Sequence, residues 1–246
     1  MRRGSRRRNA SAWRGPCPAR KDTGAAVRLG DVRRERRPDL LAWSRTGARE
    51  PELSDVAHTL SRFVADYVDT YPDLTEVFDP DWRSPCEVGE PFRGPDGVEV
   101  VRWRPVRRRY ADDFRGLENA LELPIHPDIK AYYGSWWSGG LEAAAPDGHV
   151  SLLFLWNEAD AERLVENLIG HAMAKQRARA PFSVFFACTE QDSELFLSVE
   201  NETGRVLLER PGYKPIRTVA ESLPEFLGGL TPRSPYLHPE RAVLDH

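Results

Sequence analysis

The sequence predicts an α+β fold: a largely antiparallel mixed sheet with helices packed on one face. Three observations predict it. Apolar residues recur at helical spacing over residues 54–71 and 157–178. Short runs rich in Val, Leu and Phe crowd residues 183–210, and two of them are joined by Asn201-Glu202-Thr203-Gly204, a hairpin-type turn. The helical patterns are grouped early and the strands late, unlike the regular alternation that builds a parallel sheet.

Taken in order, residues 1–50 are Arg-rich and punctuated by Pro and Gly, with no sustained periodicity. Such a segment buries too little apolar area to offset its chain entropy. It reads as a disordered basic extension, or as the product of a start assigned too far upstream. The folded domain is expected over 51–232, with a frayed tail at 233–246. Ser54 is a candidate N-cap for a helix whose face is Val56, Leu60, Phe63, Val64, Tyr67, Val68 and Tyr71. Residues 71–92 are turn-rich and acidic. Residues 98–103 read as a strand and 111–123 as a helix, with Asp112 and Asp113 in its first turn. Residues 125–140 are short, aromatic and irregular. Residues 149–156 read as a buried strand, and a long helix follows from an Asn157 cap to about Ala178, stopped by Pro181. Strands are expected at 183–188, 194–200 and 205–210, and a last helix at 218–230.

Charge divides the chain. Of its 35 Lys/Arg and 38 Asp/Glu, residues 1–50 hold fifteen basic and five acidic, leaving twenty basic against thirty-three acidic beyond. A +10 arm precedes a −13 body. An acidic body predicts a basic partner, recruited by electrostatic steering and released by salt, and argues against nucleic-acid binding by that body. The arm suits anionic lipid or nucleic acid. Within the body, Arg102, Arg104, Arg107, Arg108 and Arg109 form an unusually basic run. Cys17, Cys86 and Cys188 are odd in number and far apart, without metal-ligand spacing, which fits a reducing compartment.

No phosphate loop, dinucleotide fingerprint, zinc signature or nucleophile elbow is present, so no cofactor or metal is implied. Three groups remain. The acidic load includes Glu158, Asp160 and Glu162, which also suit a helix N-terminus. Tyr132, Tyr133, Trp136 and Trp137 form an aromatic group beside glycines, readable as core under a loop or as an interface anchor. In the long helix, Leu164, Val165, Leu168, Ile169, Ala172 and Met173 form an apolar stripe with His171 at its flank. Gly170 lies opposite and costs about 1 kcal/mol relative to alanine, which implies a packing device on that side.

VENLIGHAMAKQRARAPFSVFFA, the SVENETGRVLLE hairpin and the closing SLPEFLGGL resemble the Syd family, the SecY-interacting proteins of bacteria. RSPC (83–86), Trp103-x-Pro105 and ALELPIHPDIKAYYGSWWSGG resemble it in the same order. The resemblance spans roughly residues 54–230. It implies membership of the wider Smi1/Knr4-like (SUKH) group. It also implies a non-enzymatic adaptor, peripheral on the cytoplasmic side of the cell inner membrane, that binds the SecY subunit of the translocase and restrains or monitors incorrectly assembled SecY. An acidic concave surface is the binding face the family implies. The candidate partner-binding residues are Glu118, Glu122, Asp128, Tyr132, Trp136, Glu142, Glu158 and Asp160. The alternatives are an acidic immunity or sequestration module for a basic toxin, or an enzyme built on His171.

Overall fold

A computed structural model describes residues 54–94, 96–108, 114–190 and 193–235. The expectations for residues 1–50, for Asp112 and Asp113, and for most of the C-terminal tail lie outside these.

The first helix, α1 (Asp55–Thr70), starts as its sequence predicts: Ser54 accepts the Ala57 N–H at 3.2 Å. It buries Val56, Ala57, Leu60, Phe63, Val64 and Tyr67. A small antiparallel sheet follows, ordered β1 (Thr75–Val77), β3 (Glu99–Trp103), β2 (Glu87–Arg93). Its inner residues Val101 and Trp103 are buried. β2 carries a bulge between Val88 and Phe92 where Gly89 has φ +74°. A two-stranded ribbon pairs β4 (Val106–Arg107) with β5 (Trp136–Trp137). Between them lie α2 (Arg115–Leu121) and α3 (Pro127–Ser135).

The main sheet has seven strands in the order β11-β10-β9-β8-β7-β6-β12. They are β6 (Leu141–Ala145), β7 (Gly148–Leu152), β8 (Ser183–Cys188), β9 (Phe196–Glu200), β10 (Val206–Glu209), β11 (Arg217–Ala220) and β12 (Thr231–Pro232). All its pairings are antiparallel. Six consecutive strands make a meander, interrupted only by the long helix α4 (Glu158–Ala178) between β7 and β8. The short helix α5 (Leu223–Gly228) then carries the chain to β12, beside β6 at the opposite edge. The α+β class and the antiparallel sheet are those the sequence predicts.

Asn157 caps α4 through Asp160 N–H at 2.9 Å, and the helix ends at Arg179, which has φ +50°. Its buried line differs from the expected one. Ala161, Leu164, Leu168, His171 and Lys175 face the sheet, while Met173 is 50% exposed. His171 therefore sits in the middle of the buried face. Two polar side chains can occupy it because the sheet supplies partners. Lys175 Nζ donates to both Glu209 carboxylate oxygens, at 2.8 and 2.7 Å, and Ser198 Oγ donates to Glu209 Oε1 at 3.0 Å.

Three other expectations are corrected. Residues 127–135 form a helix, because His126 Nδ1 accepts the Asp128 N–H and Pro127 sits at the first position, where its missing N–H costs nothing. The expected helix at 218–230 divides into β11 and α5, since Ser222 is a fresh N-cap for Glu225 N–H. The helix expected from residue 111 is observed from Arg115, with residues 111–113 outside those described.

Candidate partner-binding surface

The predicted site residues separate into an interior pair and three surface positions. Tyr132 is fully buried. Its ring packs on Tyr133, Phe154 and Phe186, and its hydroxyl donates to the Phe186 carbonyl at 3.3 Å. Glu142 is 2% exposed, accepts from Ser151 Oγ at 3.1 Å and lies 2.8 Å from His149 Nε2. Neither presents a side chain to a partner, so both leave the candidate surface. Tyr132 belongs to the core because α3 turns it onto the sheet. Glu142 is held by the neighbouring strand, where Ser151 is its direct cross-strand partner.

His171, the only candidate for chemistry, is also interior. Its ring lies among Phe182, Phe185 and Phe196, with Nε2 3.2 Å from Ser183 Oγ. Burial, then the Lys175 charge, pull its pKa down to about 3. The folded state thus keeps the ring neutral where the unfolded chain takes up a proton. This contribution to stability is complete above about pH 6.5 and is lost as pH falls toward 3, at up to about 1.4 kcal/mol per pH unit. His171→Gln, which keeps a partner for Ser183, is expected to flatten the stability–pH curve over that interval in urea titrations. An unchanged slope would show that other groups carry it.

Trp136 is half-buried on β5, with the Arg107 guanidinium 4.9 Å above its ring. Glu118, Glu122 and Asp128 flank the turn from α2 to α3. Glu118 is engaged: Lys130 Nζ lies at 2.6 Å and the Ile125 N–H donates to it at 2.8 Å. The Lys130 hydrogen bond, then the Ile125 one, lower its pKa. Burial raises that of Asp128, with Asp55 adding to the rise and His126 opposing it. Glu122 is exposed at the left-handed C-cap of α2, φ +50°. This corner mixes structural and free carboxylates.

The third position is more uniform. The α4 N-terminus docks on the loop between β1 and β2. Trp156 Nε1 donates to the Trp82 carbonyl at 3.1 Å, Asn157 Nδ2 donates to the Arg83 carbonyl at 2.9 Å, and Ser84 Oγ donates to the Trp156 carbonyl. The contacts join the helix that opens with the predicted Glu158 and Asp160 to the loop that carries Asp79 and Asp81. Asp160 accepts the Trp156 N–H at 3.0 Å and Asp79 the Asp81 N–H at 3.0 Å, so both are partly structural. Asp81, Glu158 and Glu162 are exposed, and Glu166 extends the row one turn along α4. Aromatic rings lie between the charges. Arg163 sits 4.5 Å over the Trp82 ring and Arg83 5.1 Å over Phe78, so these rings already receive guanidinium groups. Sequence reading named Glu158 and Asp160 as partner-binding residues and placed Glu162 in the acidic load, but missed Asp81 and Trp82. The acidic excess of residues 51–99 was the available signal, without the contact that places it against α4.

A family model described as Syd protein (SUKH-2) matches residues 54–232. The chain is 39% identical over 174 residues to Protein Syd of Pseudoalteromonas atlantica, covering 70% of this chain and 91% of that one. It is 38% identical over 179 residues to Protein Syd of Alteromonas mediterranea, covering 72% and 96%. It is 45% identical over 138 residues to Protein Syd of Hahella chejuensis, covering 56% and 71%. The capped long helix, its following buried strands and the Asn201 hairpin all lie within the matched range, and the chain belongs to the Syd family.

Proposed function

We propose that this protein is a non-enzymatic adaptor that binds the SecY subunit of the translocase through the acidic face formed by α4 and the loop before β2. It would act as a peripheral protein on the cytoplasmic side of the inner membrane, monitoring or restraining incorrectly assembled SecY. Family membership supports the kind of partner, and the observation that carries the surface is the exposed row Glu158, Glu162, Glu166 on α4, whose N-terminus is hydrogen-bonded to the loop that carries Asp81. Like charges at i,i+4 weaken a helix by a few tenths of a kcal/mol per pair. The macrodipole favours Glu158 in the first turn, but that effect has faded by Glu166 and gives no reason to extend the row there. Cytosolic loops of membrane proteins are enriched in Lys and Arg, and a carboxylate row edged by Trp82 and Phe78 suits such loops. Among the described residues, no helix is long and apolar enough to cross a membrane, which agrees with attachment through a partner.

The test is binding of the full chain to detergent-solubilised SecYEG at about 50 and about 500 mM salt, where screening lengths differ several-fold. Asp81→Lys/Glu158→Lys/Glu162→Lys is expected to raise Kd more than tenfold at the lower salt while the melting temperature holds. Unchanged binding by this variant would remove the face from the proposal. Failure of the unmodified chain to bind SecYEG at low salt would reject SecY and direct the search to another basic partner, such as a toxin.

A further inference from the structure

Arg102, Arg104 and Arg107 are exposed on one uninterrupted run of chain from β3 into β4. The run spans about 17 Å at strand spacing. In a body with a large acidic excess, exposed arginines ordinarily find carboxylates, yet the side-chain contacts of Arg102 and Arg107 are of another kind. Arg102 lies 4.6 Å over the Phe92 ring, and β2 sets Val88 opposite it in place of an acid. Arg107 lies over Trp136 and donates to Ser61 Oγ at 2.6 Å. Exposed valines lie beside the charges, Val88 at 49% and Val106 at 38%, with Glu90 and Glu99 the exposed carboxylates of β2 and β3. Arginine over half-buried aromatic rings, with exposed valines beside it, is an amphipathic surface. Its guanidinium groups suit phosphate oxygens and its apolar groups suit the boundary between headgroup and acyl chain.

We infer that the Arg102–Arg107 surface, with Phe92, Trp136, Val88 and Val106, docks on an anionic phospholipid bilayer. A bilayer fits better than a nucleic acid. A long polyanion would extend past this short patch onto an acidic body, whereas a planar anionic surface needs only the patch to touch it. Each arginine near such a surface contributes roughly a fivefold gain in partitioning. Three give weak, salt-sensitive attachment by themselves. Joined to a second contact on a membrane protein, the two act together through effective concentration.

The experiment is sedimentation of the full chain with vesicles of phosphatidylcholine alone and with about a third phosphatidylglycerol, at low salt. Arg102→Gln/Arg104→Gln/Arg107→Gln is expected to lower partitioning onto the anionic vesicles at least tenfold, and the double variant Arg102→Gln/Arg104→Gln, which spares the Ser61 contact, by at least fivefold. Binding to the neutral vesicles stays low throughout. Because residues 1–50 are themselves basic, Arg6→Gln/Arg7→Gln/Arg8→Gln is measured beside them and is expected to leave a partitioning component that the body variants remove. Unchanged partitioning of both body variants would overturn the inference. So would loss of binding to a 30-nucleotide RNA with vesicle partitioning intact, which would assign the patch to nucleic acid. No SecY is present, so the outcome is independent of the adaptor proposal.

Discussion

Lys175→Met is expected to cost about 3–5 kcal/mol of folding stability. Lys175 is 2% exposed and Glu209 is fully buried, with both carboxylate oxygens on the ammonium group. Methionine fills much of the same volume but leaves Glu209 with only the Ser198 hydroxyl. The charge then stays in the interior without a counter-charge, and that desolvation drives the loss. For a domain of this size the melting temperature should fall by about 10 °C, at roughly 2–4 °C per kcal/mol. Lys175→Met/Glu209→Leu removes both charges and should recover most of it, because a buried pair repays its own desolvation only in part. Urea denaturation of the four members of the cycle measures the coupling. A single-variant cost under about 1 kcal/mol would show that water reaches Glu209 beneath α4.

The pair also shows where sequence reading stops. The length and cap of α4 were legible, because Asn157, the acidic first turn and the basic last turn are local signals. Its buried face was not. Hydropathy places Met173 inside and Lys175 outside, and the structure reverses them. Nothing near Lys175 in the chain reveals that Glu209, on β10, will sit opposite it. Residues 125–140 failed for a related reason. Their aromatics and glycines weaken helix propensity, and the docking of Ile129, Tyr132 and Tyr133 into the core overrides it. The short strands β1 and β2 gave little signal, since their burial alternates poorly and a bulge breaks β2.

The candidate surface was legible in amount but not in place. The acidic excess of residues 51–99 and the carboxylates opening α4 are both visible in the chain. That the segments carrying Asp81 and Glu158 are joined depends on Trp156 and Asn157 finding the carbonyls of Trp82 and Arg83, contacts between segments more than seventy residues apart. The aromatic group misled in the opposite sense. Trp and Tyr anchor many interfaces, but composition does not distinguish an interface anchor from a core residue, and Tyr132 is the latter.

Tyr132→Ala is accordingly expected to unfold rather than to disarm. The side chain is enclosed by Tyr133, Phe154 and Phe186 at ring-centroid separations of 5.1–5.6 Å, and removing it opens a cavity worth about 3–5 kcal/mol. Tyr132→Phe keeps the packing and loses one hydrogen bond, to the Phe186 carbonyl, at about 1 kcal/mol. Burial holds the hydroxyl's pKa well above its usual value, so it remains a donor across the working pH range and the cost should not vary there. Equilibrium unfolding measures the first effect and SecYEG binding, corrected for folded fraction, the second. The acidic-face triple variant should show the converse pattern: a stable domain with weakened binding. If Tyr132→Phe kept its stability and lost binding, the core assignment would fail, and the interface would have to reach through α3.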